Sequence, residues 1–161
     1  MPRKWIAHRL LVLPLAVAGA CMPKTVSPAS SALICFHAES DLAAVGNELR
    51  AIASSVGMKV TDRSAEASAE LNHLKELVAN PPDWYSEPLL MMTVEREDGM
   101  GLTATNAGLR NAVALTISGG EDQSDAQAFA VIVLSRFRAK WDVRELPSNG
   151  GTYSSSDCTD P

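Results

Sequence analysis

The chain of 161 residues has the length of one ordinary domain, and 46% of its residues are hydrophobic while only 5% are aromatic. This composition excludes a disordered acidic tail. The 14 basic and 19 acidic residues give a formal net charge of −5. No basic run is present, which argues against a nucleic-acid-binding protein, because neutralising phosphates requires clustered Lys and Arg.

The first twenty residues have the pattern of an export signal. Three basic residues and no acidic one precede an uncharged apolar run over 10–20. The run is shorter than the roughly 20 apolar residues that cross a bilayer, and Pro14 disfavours a buried N-terminal helix as the alternative. We predict that residues 1–20 are a signal peptide, whose removal leaves 11 basic and 19 acidic residues and a net charge of −8.

The signal ends in Ala18-Gly19-Ala20-Cys21. This segment resembles the lipobox of bacterial lipoprotein precursors, although Ala18 stands where that family usually has Leu. The resemblance implies that Cys21 becomes the mature N-terminus and carries a diacylglycerol and a fatty acyl chain such as palmitate. It also implies sorting to the outer membrane, facing the periplasm, because Met22 and not Asp follows the cysteine. The same residues match the A-x-A site of ordinary signal peptidase, which would release a soluble exported protein.

The number of cysteines bears on this choice. If Cys21 carries lipid, Cys35 and Cys158 remain, and an exported protein can pair them. If Cys21 stays a thiol, one cysteine is left over in an oxidising compartment, so the count favours the lipoprotein. We predict a disulfide bond between Cys35 and Cys158. The alternative is that both stay free, with Cys35 as a small core residue.

The composition divides the mature chain into three parts. Residues 21–31 are rich in Pro and Ser and lack apolar periodicity, which predicts a lipidated tether. Residues 32–147 carry the periodic patterns of a single domain. Residues 148–161 are rich in Ser, Gly and Asp and predict a flexible tail, in which Cys158 is the one notable residue.

Strand and helix patterns alternate along the domain. Residues 33–37 predict a buried strand. Apolar residues between 42 and 56 then recur at steps of three and four, which is typical of an amphipathic helix, and Gly57 suits its end. A short strand over 58–63 follows. Residues 64–79 have helical spacing again and predict an inserted helix, which the Asn80-Pro81-Pro82 segment stops.

The second half repeats this pattern. Strands are predicted over 89–97 and 102–105, joined by an Asp98-Gly99 hairpin turn. An alternating strand follows over 112–118. Next come a helix whose start has capping-box spacing at Ser124 and Gln127, and a last strand over 141–146.

Two strand–helix–strand units predict an α+β domain of the ferredoxin-like, split βαβ type with an inserted helix. Its helices lie on one face of a mostly antiparallel sheet.

Motifs for nucleophilic or metal-dependent catalysis are missing from the sequence. His37 and Glu39 have the spacing of two ligands on one strand face, but a metal site usually needs three or four ligands. A strand-end histidine beside acids that cap the next helix is the simpler interpretation. His73 is expected at the surface. The acidic residues around the hairpin could supply paired carboxylates, but a solvated edge explains them equally well; they are Asp83, Glu87, Glu95, Glu97 and Asp98. We therefore predict no enzyme, no metal and no cofactor.

Trp84 and Tyr85 follow the prolines that end the inserted helix. If these two side chains are exposed, they would be natural anchors for a protein partner. If they are buried, they only fill space at the end of the sheet. The leading hypothesis is a lipid-anchored, non-enzymatic envelope domain that binds a protein partner, for example an immunity protein against a toxin acting in the periplasm. One alternative is an accessory structural lipoprotein of a secretion or pilus assembly. Another is a metal-dependent hydrolase that uses His37 and Glu39.

Overall fold

Six strands and three helices follow one another in the computed structural model, which describes residues 28–36, 38, 40–81, 88–109, 111–120, 122–146 and 158. In chain order the elements are β1 (Pro28–Cys35), α1 (Ser40–Ser55), β2 (Lys59–Asp62), α2 (Ser64–Leu77), β3 (Met91–Glu95), β4 (Gly101–Thr105), β5 (Ala112–Ser118), α3 (Gln123–Arg138) and β6 (Asp142–Glu145).

The strands form one sheet in the order β2-β3-β4-β5-β1-β6, and every neighbouring pair is antiparallel. β1 lies between β5 and β6, which α3 connects, and this is the split βαβ arrangement. The fold is therefore the predicted α+β sandwich of ferredoxin-like type. β2 and β3 extend the sheet beyond β4.

The helix-covered face of the sheet carries the main core. Alternate residues of β1 and β5, such as Ile34 and Leu115, point to this face and are fully buried. α1 contributes Leu49 and Ile52, and α3 contributes Phe137. Burying each such side chain stabilises the fold by about 1.5–3 kcal/mol. The apolar periodicity of α1 and α3 is thus explained by packing on the sheet.

The opposite face of the sheet is polar over much of its width. One register row crosses five strands and brings only hydroxyl-bearing residues side by side: Ser31, Thr116, Thr103, Thr93 and Thr61. Thr suits this position because its branched side chain favours strands and its hydroxyl tolerates water. An antiparallel sheet with one solvated face needs no second helical layer.

Several predicted boundaries differ from the structure. β1 begins at Pro28 and not near residue 32, because Ser30 and Ser31 pair with Ile117 and Thr116 of β5. The Pro/Ser composition predicted a tether up to residue 31, but strand pairing includes the last residues of that segment in the sheet. Val56, expected in the buried stripe of α1, lies beyond the last helical residue and is exposed, and Gly57 has the positive φ of 67° that ends the helix.

The start of α3 also differs from the prediction. Asp122, not Ser124, is the N-cap residue, and its carboxylate accepts hydrogen bonds from the Ser124 backbone N–H and hydroxyl at 2.8 and 2.7 Å. The predicted capping box was therefore wrong: Ser124 is already inside the helix and acts as a donor to the cap.

Candidate interaction surfaces and the cysteine pair

Cys35 and Cys158 lie at the distance of a disulfide pair, with Cα atoms 5.4 Å apart and 123 positions between them in sequence. Cys35 faces away from the helices because it alternates with Ile34 along β1. It belongs to a small buried cluster with Leu33, Ala112 and Ala114, and Cys158 packs against that cluster. The pairing predicted from the sequence is thus compatible with the fold.

Helix α2 is attached mainly by its N-terminal end. The Ser64 hydroxyl accepts a hydrogen bond from the Met91 backbone N–H at 3.0 Å, and the Arg63 N–H donates to the Met91 carbonyl at 2.8 Å. No side chain of α2 is buried. The predicted helix is present, but its apolar stripe does not enter the core.

The second half of α2 and the residue after it expose apolar side chains. Leu74 is 46% exposed, Leu77 69% and Val78 41%. We refer to Leu74, Leu77 and Val78 as the α2 patch. The protein also exposes Val131 and Ile132 on the outer side of α3, at 68% and 48%. Single exposed apolar residues are ordinary on protein surfaces, whereas the α2 patch groups several of them at the end of one helix.

A groove of about 510 Å³ lies between α1 and the segment that leads into β3. Gly46 lies in its wall, where a Cβ would lie 3.4 Å from the Leu90 Cδ1 atom, about an ordinary van der Waals contact. Its charged residues already pair with one another: Arg50 donates to Asn47 and to Asp62. The pKa of Asp62 is lowered by hydrogen bonds from Ser64 and by the Arg50 guanidinium.

Glu48 is a buried carboxylate between α1 and α3. Its Oε1 lies 2.7 Å from Arg136 Nη2, and its Oε2 accepts from Lys140 Nζ at 2.5 Å. Burial alone would raise the pKa of Glu48. The Lys140 hydrogen bond and the charges of Arg136 and Lys140 outweigh this effect, so the pKa is lowered. Glu48 is therefore ionised at neutral pH and joins the two helices through two cations.

The sequence contained a signal for this buried ion cluster that the sequence analysis missed. Glu48 lies three residues after Val45 and four before Ile52, so helical spacing places it on the buried face of α1. A charged residue at such a position requires a partner. The identity of that partner depends on how α1 and α3 pack together, which no local pattern encodes.

The β3–β4 hairpin contacts the start of α3. Arg96 binds Asp98 through Nε at 2.9 Å and through Nη2 at 2.5 Å, and the same Nη2 lies 3.3 Å from Asp125 Oδ2. Gly120 allows the hairpin to approach, because a Cβ there would lie 2.7 Å from the Asp98 carbonyl oxygen. Asp98 is thus engaged in an ion pair with Arg96.

This ion pair predicts a definite acid dependence. The Arg96 hydrogen bonds hold the pKa of Asp98 at about 2, below its ordinary 3.8. Because the pKa of Asp98 is lower in the folded state, the ion pair stabilises the fold fully above pH 3.8, the ordinary pKa of Asp. This stabilisation is lost as the pH falls from 3.8 towards 2. In urea unfolding between pH 6 and 2, we expect Asp98→Asn to weaken the loss of stability below pH 4. Arg96→Gln should weaken it less, because the Met100 backbone N–H still donates to Asp98 and lowers its pKa. An unchanged acid dependence in both variants would contradict this assignment.

Several predicted site residues lie outside the described residues: Cys21, His37, Glu39, Trp84 and Tyr85. Asp83 and Glu87 lie outside them as well. Of the remaining candidates, His73 is exposed on α2, with Nδ1 4.0 Å from Glu76 Oε2, and Glu95 and Glu97 are exposed at the hairpin. Among the described residues, no group of three His, Cys, Asp or Glu side chains is placed to hold a metal ion.

No protein-family model, no curated protein and no solved structure matches the chain. Within the described part of the chain, no helix is long and apolar enough to span a membrane.

Proposed function

We propose that the chain is an exported, lipid-anchored, non-enzymatic domain that binds a protein partner in the cell envelope. The signal pattern over residues 1–20 and the lipobox-like end at Cys21 support export and anchoring at the outer membrane. The Cys35–Cys158 pair at bonding distance also supports an oxidising compartment, because disulfides persist there and are rare in the cytosol.

The α2 patch is the observation that carries the binding function. A helix of 14 residues that buries no side chain obtains little stability from the domain, yet it presents leucines to solvent. A partner that covers these leucines would supply the missing packing. The metal-dependent alternative would use His37 and Glu39, which lie outside the described residues, so no contact of the described residues supports it.

The identity of the partner separates two versions of this function. An immunity protein would bind a toxin that acts in the periplasm. An accessory lipoprotein would bind a subunit of an envelope assembly. Both versions require a surface that contacts another protein directly, and both place the domain on the periplasmic side of the outer membrane.

Site-specific photo-crosslinking in intact cells tests this proposal. We expect a photoreactive amino acid at Leu77, which is 69% exposed, to yield a discrete crosslinked species in the membrane fraction. The same probe at Val131, which is 68% exposed on α3, is the matched control and should yield none. Mass spectrometry of the crosslinked band identifies the partner as a toxin or an assembly subunit. Equal yields at both positions, or none at either, would refute binding through α2.

A further inference from the structure

The α2 patch has an acidic border. Glu70 precedes Leu74 by four residues and Leu77 by seven, so helical geometry places all three on one side of α2. Glu70 is exposed, and within the described part of the chain it has no ion-pair partner. Glu66, one turn earlier, is already bound by Arg63 at 3.0 Å. An unpaired carboxylate therefore stands next to two exposed leucines.

This juxtaposition defines the chemistry of a complementary surface. Leu74 and Leu77 require apolar side chains that exclude water, and Glu70 requires a Lys or Arg within reach of its carboxylate. The two leucines are three residues apart, which is the spacing that packs against the ridges of another helix. An amphipathic helix with basic residues beside its apolar stripe meets both requirements.

A second copy of the chain fits this surface less well. The full chain has a net charge of −5, which opposes the close approach of two copies. The carboxylate of Glu70 lies beside the leucines that a second copy would have to cover, so each copy would bring a negative charge to the contact. Charge complementarity therefore favours a basic partner over self-association.

We propose that the α2 patch binds a basic amphipathic helix of the partner protein. The apolar side chains of that helix pack on Leu74 and Leu77, and one of its Lys or Arg residues forms an ion pair with Glu70. This inference rests on the proposed function, which it deepens by stating the chemistry of the partner. The apolar contacts then provide most of the affinity, and the contact with Glu70 provides selectivity for basic sequences.

Fluorescence anisotropy with two designed peptides tests the inference. Both have Leu at helical spacing on one face; one has Lys and the other has Glu at the remaining positions. We expect the mature, oxidised domain to bind the Lys peptide and not the Glu peptide. Leu74→Gln with Leu77→Gln should weaken binding by about tenfold or more, because central apolar contacts dominate such interfaces. Glu70→Gln should weaken it by about two- to fivefold, as for an exposed ion pair.

A matched control separates the α2 patch from general attraction to an acidic protein. Val131→Gln with Ile132→Gln removes two apolar side chains of similar exposure from α3 and leaves the net charge unchanged. We expect this variant to bind the Lys peptide as the unaltered domain does. If both double variants lose binding equally, or if neither does, the inference is overturned.

Two further outcomes would overturn the inference while leaving the proposed function intact. In the first, the Glu peptide binds as tightly as the Lys peptide and the Leu74/Leu77 variant binds neither; the α2 patch then binds partners without preferring basic ones. In the second, sedimentation velocity shows a dimer that the same variant dissociates, which assigns the surface to a second copy. Failure of the proposed function is distinct, since it would appear as absent α2 crosslinks in cells.

Discussion

Arg136→Met combined with Lys140→Met is expected to lower the free energy of unfolding by about 2 to 4 kcal/mol, because it leaves the buried Glu48 carboxylate without a partner. The loss is smaller than for a fully buried pair because Arg136 and Lys140 are 36% and 54% exposed. The side chain of Glu48 is only 7% exposed and contacts both cations, at 2.7 and 2.5 Å. Methionine retains much of the apolar stem of Arg and Lys, so the change removes charge more than volume. Urea unfolding at pH 7, followed by circular dichroism, measures the effect.

Two further variants identify the cause of this loss. Adding Glu48→Leu to the double variant removes the uncompensated carboxylate and should restore most of the stability, because an apolar residue of similar volume can replace a buried ion cluster. Arg138→Met is the control for an exposed pair. Arg138 and its partner Glu145 are 48% and 53% exposed, so the cost should be at most about 1 kcal/mol. A triple variant as unstable as the double one would assign the loss to packing.

The burial of Glu48 also predicts how the stability of the unaltered protein and of the Arg136→Met, Lys140→Met double variant depends on pH. In the unaltered protein the pKa of Glu48 is lowered, so its contribution is present at neutral pH and is lost as the pH falls below its ordinary value of 4.5. In the double variant only burial remains, which raises the pKa and favours the protonated form. The difference in stability between the two proteins should therefore narrow as the pH falls from neutrality towards 4.5.

Loss of the Cys35–Cys158 bond should have an effect of similar size. The cysteines are 123 positions apart, and cross-linking a loop of about 100 residues stabilises a protein by about 4.7 kcal/mol in the chain-entropy model. We expect Cys158→Ser to lower the free energy of unfolding of the oxidised protein by about 4 to 5 kcal/mol. Reductant should bring the unaltered protein to the stability of the variant and leave the variant unchanged.

Intact mass spectrometry of protein purified from membranes tests the cysteine chemistry directly. A chain that begins at Cys21 and carries a diacylglycerol and an acyl chain would establish the anchor. A gain of two hydrogens on reduction would establish the Cys35–Cys158 bond. An unmodified chain with free thiols, whose unfolding is insensitive to reductant, would contradict both the bond and the anchor.

The elements that the sequence predicted well are those with strong local patterns. Leu42, Val45, Leu49 and Ile52 recur at helical steps, and α1 buries them all. The Asp98-Gly99 turn joins β3 and β4 as expected, with Gly99 at a φ of 84° that favours glycine. The elements that it predicted poorly depend on partners distant in the chain, such as the first residues of β1, which β5 recruits into the sheet.

The inserted helix α2 also shows that a local pattern does not predict contacts with distant parts of the chain. Its stripe of Ala67, Leu71, Leu74 and Val78 has the periodicity of a buried helix face, and the sequence located the helix correctly. The stripe does not reveal whether the domain covers it, because periodicity records which residues share a face and not what lies opposite. Only the packing shows that α2 buries no side chain and that Leu74 and Leu77 are exposed to solvent.

Hydrophobic periodicity and turn residues were enough to predict the fold class and the order of the elements. The number of cysteines was enough to predict a Cys35–Cys158 pair that the fold allows. Tertiary structure decided which apolar stripe stays exposed and which charges pair. Glu48, Arg136 and Lys140 meet only because α1 and α3 pack side by side on the sheet, 88 or more positions apart in the chain. Contacts of this kind depend on three-dimensional proximity, which local sequence does not encode.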